Sequence, residues 1–332
     1  MGLTVMVLGS AQDGGVPQVG CDCPNCRRAR DAGTVRWASG LAVWPDEVKE
    51  RCQGSARDTG AARARGRLLL DAGPDLRSQL RRFGAVIDAV ALTHLHMGHY
   101  LGILEFGREV CGRRGLPVWC SEAVAAVLET NSPWRELWCQ GHVVYERFVP
   151  GEAFSPLPGL AVTAYEVPHR NELGDTVGFV VRSSGRAELE PAGAATGVRG
   201  AGGEGLLYLP DADRWEGWEP GLPELVGDVE LAVLDGTFFD RDELARVTGR
   251  EAGEVPHPPV THTLELLGQL AAKVVFGHLN HTNPLLDPDS PATRLLAGHG
   301  AQVAREGQVF RLGGWPEALS GCEPSRGGGF DA

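Results

Sequence analysis

Three histidines lie within six residues of one short stretch, and this cluster constrains the fold more than any other feature of the chain. His94, His96 and His99 are spaced by two and three residues in the segment THLHMGHYLG. Side chains two residues apart on an extended segment share a face, so His94 and His96 can point the same way while His99 begins a helix. Three neutral imidazoles this close together gain little without a cation. The spacing therefore predicts a metal site where a β-strand ends.

Runs of strand character alternate with helical patterns along most of the chain. This alternation predicts an α/β protein in which helices pack outside the sheets. Several polar residues follow directly after apolar strand runs, where α/β proteins commonly place their chemistry. These residues are His94, His169, Asp211, Asp235 and His278.

The domain organisation is predicted from composition. Residues 1–312 are expected to form a single domain with two insertion loops, at residues 45–66 and 185–205, and residues 313–332 a loose tail. Within the domain we expect a loop over residues 10–26. We also expect a helix over 99–115 that ends at Gly115, and a terminal hairpin over 301–312.

Two groups of residues are candidate metal sites. In the first, imidazoles accompanied by a carboxylate suit zinc or non-haem iron. Its members are His94, His96, His99, His169, Asp211 and His278. Spacing alone leaves a structural role equally open for the last three of these. In the second group, three thiolates on one short segment predict most of a closed structural zinc site, with reduced thiols or a redox group as the alternatives. Its members are Cys21, Cys23, Cys26 and His281.

Composition limits the classes of partner. The chain of 332 residues has a formal net charge of -12, which disfavours binding to a nucleic acid backbone. Its apolar runs are too short to cross a bilayer, and its N-terminus lacks the features of a signal peptide. We therefore expect a cytoplasmic protein with a small-molecule or short-peptide substrate and no nucleic acid or membrane partner. A homodimer is left open.

The histidine cluster HLHMGH resembles the HxHxDH signature of the metallo-β-lactamase superfamily. Five stretches resemble the pyrroloquinoline quinone biosynthesis protein B (PqqB) family and, less fully, the PhnP phosphodiesterase family. They are VLGSAQDGGVPQVGCDCPNCRRAR, VPHRNELGDTVGF, LYLPDADRW, LDGTFFDRDEL and HLNHTNPLLDPDSP. The resemblance implies a four-layer αβ/βα sandwich. It also implies that His94, His96 and His169 hold one cation, and that the second position has three ligands. Those three are His99, Asp211 and His278. Asp211 is able to bridge the two cation positions, and Asp211 and His99 are the expected catalytic residues. A structural zinc at Cys21, Cys23, Cys26 and His281 is implied by the PhnP-like pattern.

The chain departs from the superfamily signature at Gly98, where the signature has aspartate. Losing this carboxylate predicts a weak second position, unless Asp211, Glu105 or water compensates, and hence about one exchangeable cation besides the structural zinc. The favoured hypothesis is an Fe²⁺-dependent enzyme that uses O₂ to oxidise a small amino-acid- or peptide-derived intermediate of cofactor or natural-product biosynthesis. The alternatives are a Zn²⁺- or Mn²⁺-dependent phosphodiesterase or esterase, and a non-enzymatic carrier.

Other residues remain open between functional and structural roles. Tyr100 and Asp235 either support the site or serve in packing and capping. His257 either lines the pocket or lies on a loop. His262 is expected near a helix start, and His142 and His299 are expected on the surface.

Overall fold

The computed structural model describes residues 2–46, 66–184, 204–248 and 256–313. The predicted insertions at 45–66 and 185–205 and the predicted tail fall almost wholly outside the described residues. Within the described part, no helix is long and apolar enough to cross a membrane.

Two seven-stranded sheets form the centre of the described structure. The first sheet has the order β14 (Val309–Leu312), β1 (Leu3–Gly9), β2 (Gly40–Pro45), β3 (Leu68–Leu70), β4 (Ala89–Ala91), β5 (Leu116–Cys120) and β6 (Val143–Arg147). The second has the order β13 (Gln302–Val303), β12 (Val274–Gly277), β11 (Leu231–Asp235), β10 (Leu206–Leu209), β9 (Val177–Ser183), β8 (Leu160–Glu166) and β7 (Ala153–Phe154). Strands β3 to β6 are mutually parallel, as are β10 to β13, so their carboxyl ends meet at one edge of each sheet.

Helices cover the outer face of each sheet. The helices of the described residues are α1 (Pro24–Asp31), α2 (Leu76–Phe83), α3 (Met97–Tyr100), α4 (Glu122–Thr130), α5 (Trp134–Cys139), α6 (Leu222–Gly227), α7 (Glu243–Thr248), α8 (Val260–Leu267) and α9 (Pro291–Gly298). Apolar residues of α2, α4 and α5 lie outside the first sheet, and those of α6, α8 and α9 lie outside the second. Helix α4 is capped by Ser121, whose hydroxyl accepts the Val124 N–H at 3.2 Å.

Three apolar cores separate the layers. Phe179 and Tyr208 lie in the core between the two sheets. Outside the first sheet, Leu69 packs with Leu128 of α4, and outside the second sheet Phe276 packs in the same core as Leu264 of α8. Each sheet buries apolar side chains on both of its faces. Helix, sheet, sheet and helix thus form the predicted four-layer αβ/βα sandwich.

Three local predictions are wrong. The helix expected over 99–115 ends early: a 3-10 turn over Leu101–Phe106 follows α3, and Gly107 is already extended. The segment 301–312 is not a hairpin, since β13 pairs with β12 and β14 pairs with β1 in the other sheet. Backbone hydrogen bonds from Ala304 to Phe276 and from Gly307 to Val7 direct the two halves to different sheets. Finally, Cys26 lies in α1 and not in a loop, because Pro24 starts that helix.

Candidate metal centre

A cluster of histidines and carboxylates lies where parallel strands of both sheets end. Asp71 follows β3, His94 follows β4, Asp211 follows β10 and His278 follows β12. The chain reaches left-handed backbone conformations at Asp71 and His278, with φ of 60° and 52°. Such conformations in non-glycine residues are costly and concentrate at functional sites.

Asp211 is at the centre of the cluster, and its side chain is 4% exposed. One oxygen, Oδ2, faces ring nitrogens of five histidines. The distances are 3.3 Å to His169, 3.4 Å to His94, 3.8 Å to His99, 3.9 Å to His96 and 3.9 Å to His278. A single carboxylate oxygen is therefore shared by two sets of imidazoles.

The first set consists of His94, His96 and His169, whose ligand atoms lie within 4.8 Å of one another and of Asp211. His169 Nε2 and His96 Nδ1 are 3.0 Å apart. Zinc binds imidazole nitrogen at about 2.0–2.1 Å, so two ligands of one tetrahedral ion stand about 3.3 Å apart. The spacing in this set fits a cation among the three rings and the carboxylate.

The second set contains His99 and His278, with their Nε2 atoms 3.3 Å apart, and a residue that the sequence analysis missed. Asp13, from the loop after β1, has Oδ1 at 3.8 Å from both nitrogens. Glu105, one of the groups expected to compensate at Gly98, does not join the cluster. Its carboxylate accepts two hydrogen bonds from Arg77, at 2.7 and 3.1 Å.

Each ring is oriented by a partner on its other nitrogen, as is usual for metal-binding histidines. His99 Nδ1 is 2.8 Å from Asp71, and His169 Nδ1 is 2.7 Å from Asp213. The corresponding partners of His94 and His278 are the hydroxyls of Thr93 and Thr237, each at 2.9 Å. These contacts leave the opposite nitrogen of each ring facing Asp211.

His257 borders the cluster and does not lie on an exposed loop. Its Nδ1 is 2.8 Å from Asp235 Oδ2 and 3.3 Å from Asp211 Oδ1. Asp235 supports the site and also caps the backbone, accepting N–H groups of Ala212 and Thr237. Tyr100 has the packing role instead, with its ring 5.0 Å from that of Trp134.

The buried charges shift the pKa values of the cluster. Burial, together with the charge of His99, lowers the pKa of His94 to about 3. Burial also lowers the pKa of His99, but the Asp71 carboxylate outweighs it and raises the value to about 9. For Asp211, burial raises the pKa, yet His278 and His257 hold it well below its ordinary value. Asp211 is therefore a carboxylate throughout the neutral range.

Four buried polar atoms of the cluster have no hydrogen-bond partner among the described residues. They are Asp13 Oδ1, His94 Nε2, Asp211 Oδ1 and His257 Nε2. An unsatisfied buried polar atom costs about 1–3 kcal/mol, and more when charged. Cations between the imidazoles and carboxylates would satisfy Asp13 Oδ1, His94 Nε2 and Asp211 Oδ1, so the donor set fits metal binding.

The cysteine group also assembles. The ligand atoms of Cys21, Cys23, Cys26 and His281 lie within 4.8 Å of one another. His281 Nδ1 is 3.3 Å from Cys21 Sγ and 3.5 Å from Cys23 Sγ. Asn25 ties the two segments together by donating to the backbone carbonyls of His281 and Asn283. Three sulfurs and one imidazole at these separations suit a tetrahedral zinc ion.

The remaining histidines lie outside both groups. His142 was expected on the surface, and this is wrong: it is buried, with Nδ1 2.7 Å from the Arg113 carbonyl oxygen. His299 is exposed as expected. His262 lies near the start of α8, with Nε2 2.9 Å from Glu216.

Comparison with known proteins places the chain in a family. The β-lactamase superfamily domain matches residues 66–278. Coenzyme PQQ synthesis protein B from Azotobacter vinelandii is 30% identical, over 93% of this chain and 99% of that protein. The chain belongs to the β-lactamase superfamily and, within it, to the coenzyme PQQ synthesis protein B family. Coenzyme PQQ synthesis protein B from Pseudomonas putida is 29% identical over the same shares.

Solved structures agree on the PqqB family fold. Zn²⁺-bound PqqB from Methylobacterium extorquens has a TM-score of 0.70 at 24% identity, covering 92% of this chain and 99% of that one. A diphosphatase from the PhnP family has a TM-score of 0.60 at 23% identity, covering 94% of this chain and 97% of that one. Both likenesses bear on the fold alone.

Glu243, the first residue of α7, supports the segment that carries His278 and His281. Its carboxylate accepts the Thr282 hydroxyl at 2.5 Å and the Phe239 N–H at 2.7 Å. Burial raises the pKa of Glu243 to about 7, although these hydrogen bonds oppose the shift. The folded protein therefore binds this proton more tightly than the unfolded chain does.

The Glu243 carboxyl makes stability depend on pH. The contribution of this carboxyl to the free energy of unfolding is fully present below its unfolded pKa of about 4.5. It is lost as pH rises through the folded pKa of about 7. The loss amounts to about 3 kcal/mol at most. We expect urea unfolding to show wild type losing stability relative to Glu243→Gln between pH 5 and pH 8, at constant metal loading. Parallel pH profiles for the two proteins would contradict this assignment.

Proposed function

We propose that the chain is a metal-dependent hydrolase of a small phosphate- or carboxyl-ester substrate, with two cations held side by side. The observation that carries the proposal is the position of Asp211, whose Oδ2 lies within 3.3–3.9 Å of nitrogens from both histidine sets. A carboxylate oxygen shared in this way is suited to bridging two metal ions. Two adjacent ions are a recurrent device for hydrolytic displacement.

Under this proposal the residues divide into two positions that share Asp211. The first position is formed by His94, His96 and His169, and the second includes His99 and His278. When bound, two cations supply an activated water and polarise the oxygen under attack. The outer partners, such as Asp71 on His99, hold each ring in the orientation that binding needs.

His257 is the proposed proton carrier. Burial lowers its pKa, but the Asp235 and Asp211 carboxylates outweigh burial and raise it to about 9. Because Asp235 holds Nδ1, the proton available for transfer is on Nε2, which has no partner among the described residues. Protonation of the leaving oxygen by such a group is a common contribution to hydrolysis.

A second candidate is oxidation of a small amino-acid- or peptide-derived intermediate with Fe²⁺ and O₂. The chain is 29–30% identical to coenzyme PQQ synthesis protein B over 93% of its length. This similarity favours a role in the biosynthesis of that coenzyme or a related one, and with it the second candidate. The donor set argues for the first candidate. Non-haem iron oxygenases commonly use two histidines and one carboxylate, and this cluster offers more ligands, divided between two positions.

Metal reconstitution distinguishes the two chemistries. Apoprotein loaded anaerobically with Zn²⁺ or Mn²⁺ is expected to hydrolyse bis(p-nitrophenyl) phosphate without O₂. His257→Asn should keep its metal content and lose activity by about 10²–10⁴-fold, the usual contribution of a general acid. The measurements are p-nitrophenolate release and metal analysis of the same samples.

The control variant is His262→Asn, because His262 lies beside Glu216 outside the cluster, so the substitution should leave both quantities unchanged. Substrate-dependent O₂ uptake by the Fe²⁺ form, without hydrolysis by any form, would overturn the proposal in favour of oxidation. Absence of turnover with every metal tested would favour a carrier.

We also propose that the cysteine group holds a structural zinc. Cys26 →Ser should lose one zinc per chain, because Cys26 supplies a thiolate from α1. The melting temperature should fall by roughly 3–5 °C, the effect of a loss of about 2–3 kcal/mol in a chain of this size. Metal analysis and thermal unfolding measure both effects. Cys139→Ser, at an exposed thiol outside the group, is the control, and equal zinc content in both variants would refute the site.

A further inference from the structure

The Asp13 carboxylate occupies the space that a side chain at position 98 would need. A Cβ atom built on Gly98 would lie 1.9 Å from Asp13 Oδ1 and 2.8 Å from its Cγ. Real Cβ atoms do not approach other atoms this closely. Side chains at 13 and 98 therefore compete for one volume beside His99, and this chain fills that volume from residue 13.

We infer that Asp13 is the carboxylate ligand of the second cation position, in place of the aspartate that the HxHxDH signature carries at position 98. The inference rests on the proposed two-cation centre and assigns its missing ligand. Gly98 is then the residue that makes room for a carboxylate arriving from the loop after β1, and the site has not lost that ligand.

The geometry of the second position supports this assignment. Asp13 Oδ1 is 3.8 Å from His99 Nε2 and 3.8 Å from His278 Nε2. Asp211 Oδ2 is 3.8 Å from the first of these nitrogens and 3.9 Å from the second. The ligand atoms of Asp13, His99 and His278 lie within 4.8 Å of one another and form one group. Asp13 Oδ1 is buried and has no hydrogen-bond partner among the described residues, so it is aimed into this group.

Backbone hydrogen bonds hold Asp13 beside His278. The Gln12 N–H donates to the Leu279 carbonyl, and the Leu279 N–H donates to the Ser10 carbonyl, both at 3.0 Å. Ala11 and Leu279 form a parallel bridge. The chain then turns at Gly15, which has a positive φ of 62° and bonds back to Gln12 at 2.8 Å. Since Leu279 adjoins His278, the same pairing positions both ligands.

Asp13 also forms the accessible side of the second position. Its side chain is 34% exposed, whereas the side chains of His99 and His278 are 0% and 1% exposed.

The test measures Zn²⁺ binding to the full-length apoprotein, without any substrate. Asp13→Asn keeps the shape of the side chain and removes its charge, so the weaker of the two active-site binding events should lose at least about tenfold in affinity. Titration against a chromophoric chelator gives the affinity, and metal analysis gives the stoichiometry. Glu105→Gln is the matched control, because Glu105 pairs with Arg77 outside the cluster and should bind zinc like wild type.

A reciprocal exchange makes the test independent of damage to folding. Gly98→Asp alone should weaken zinc binding, because the new side chain collides with Asp13. Adding Asp13→Gly to that variant should recover the second binding event, because the new carboxylate at position 98 then has room beside His99. The losses of zinc affinity caused by the two substitutions should therefore not add. Wild-type affinity in Asp13→Asn, or tighter binding in Gly98→Asp alone, would overturn the inference. If the enzyme proved oxidative instead, the zinc measurements would still decide the role of Asp13.

Discussion

Five imidazoles face one oxygen of Asp211, and the rest of the site depends on this arrangement. All of these groups come from polypeptide segments that follow strands of both sheets, and most are fully buried. Burying many polar and charged groups together is unfavourable unless each is paired. Outer contacts satisfy one side of each ring, as Asp71 does for His99 and Asp213 for His169. The inner side is left for cations, and for this reason the cluster is interpreted as a binding site and not as a hydrogen-bonded core.

Two loops join this centre to the cysteine group. The loop after β1 carries Asp13 and continues to Cys21 and Cys23, while the segment after β12 carries His278 and His281. They pair through the backbone at Leu279, and Asn25 and Arg28 reinforce the contact, Arg28 by an ion pair with Asp287 at 3.0 Å. A zinc ion among the thiolates would therefore stiffen the same loops that deliver ligands to the second cation position. The two sites are expected to be structurally coupled for this reason.

The sequence predicts the layered fold and the groups of ligands because these depend on local patterns. Strand runs ending in His94, Asp211 or His278 imply a common edge, and the spacing of the cysteines implies a compact group. Asp13 could not be found in this way, because its role depends on the loop after β1 lying beside Gly98 of α3 and beside the segment after β12. The signature places the carboxylate at residue 98 of the sequence. A cation, however, needs a carboxylate at the right place in space, and any segment of the chain can supply it. One signal was present in the sequence: an aspartate in a glycine-rich loop directly after the first strand.

The terminal segment 301–312 and His142 show the same limit. A turn between two short strands indicates a hairpin locally, but tertiary pairing with Phe276 and Val7 sends its strands to different sheets. His142 is polar and follows a glycine, which favours an exposed loop. In the fold it is buried, because the carbonyl of Arg113 satisfies its ring. Both outcomes are decided by contacts between residues far apart in sequence.

The most direct test of the two-cation account is anomalous X-ray scattering at the zinc edge from crystals of the zinc-loaded wild-type protein. The account predicts one peak among the cysteine group and two peaks that share Asp211, about 3.5–4 Å apart, as in two-metal enzymes. The second of these two should lie between Asp13, His99 and His278. A single active-site peak bound only by His94, His96 and His169 would contradict the account.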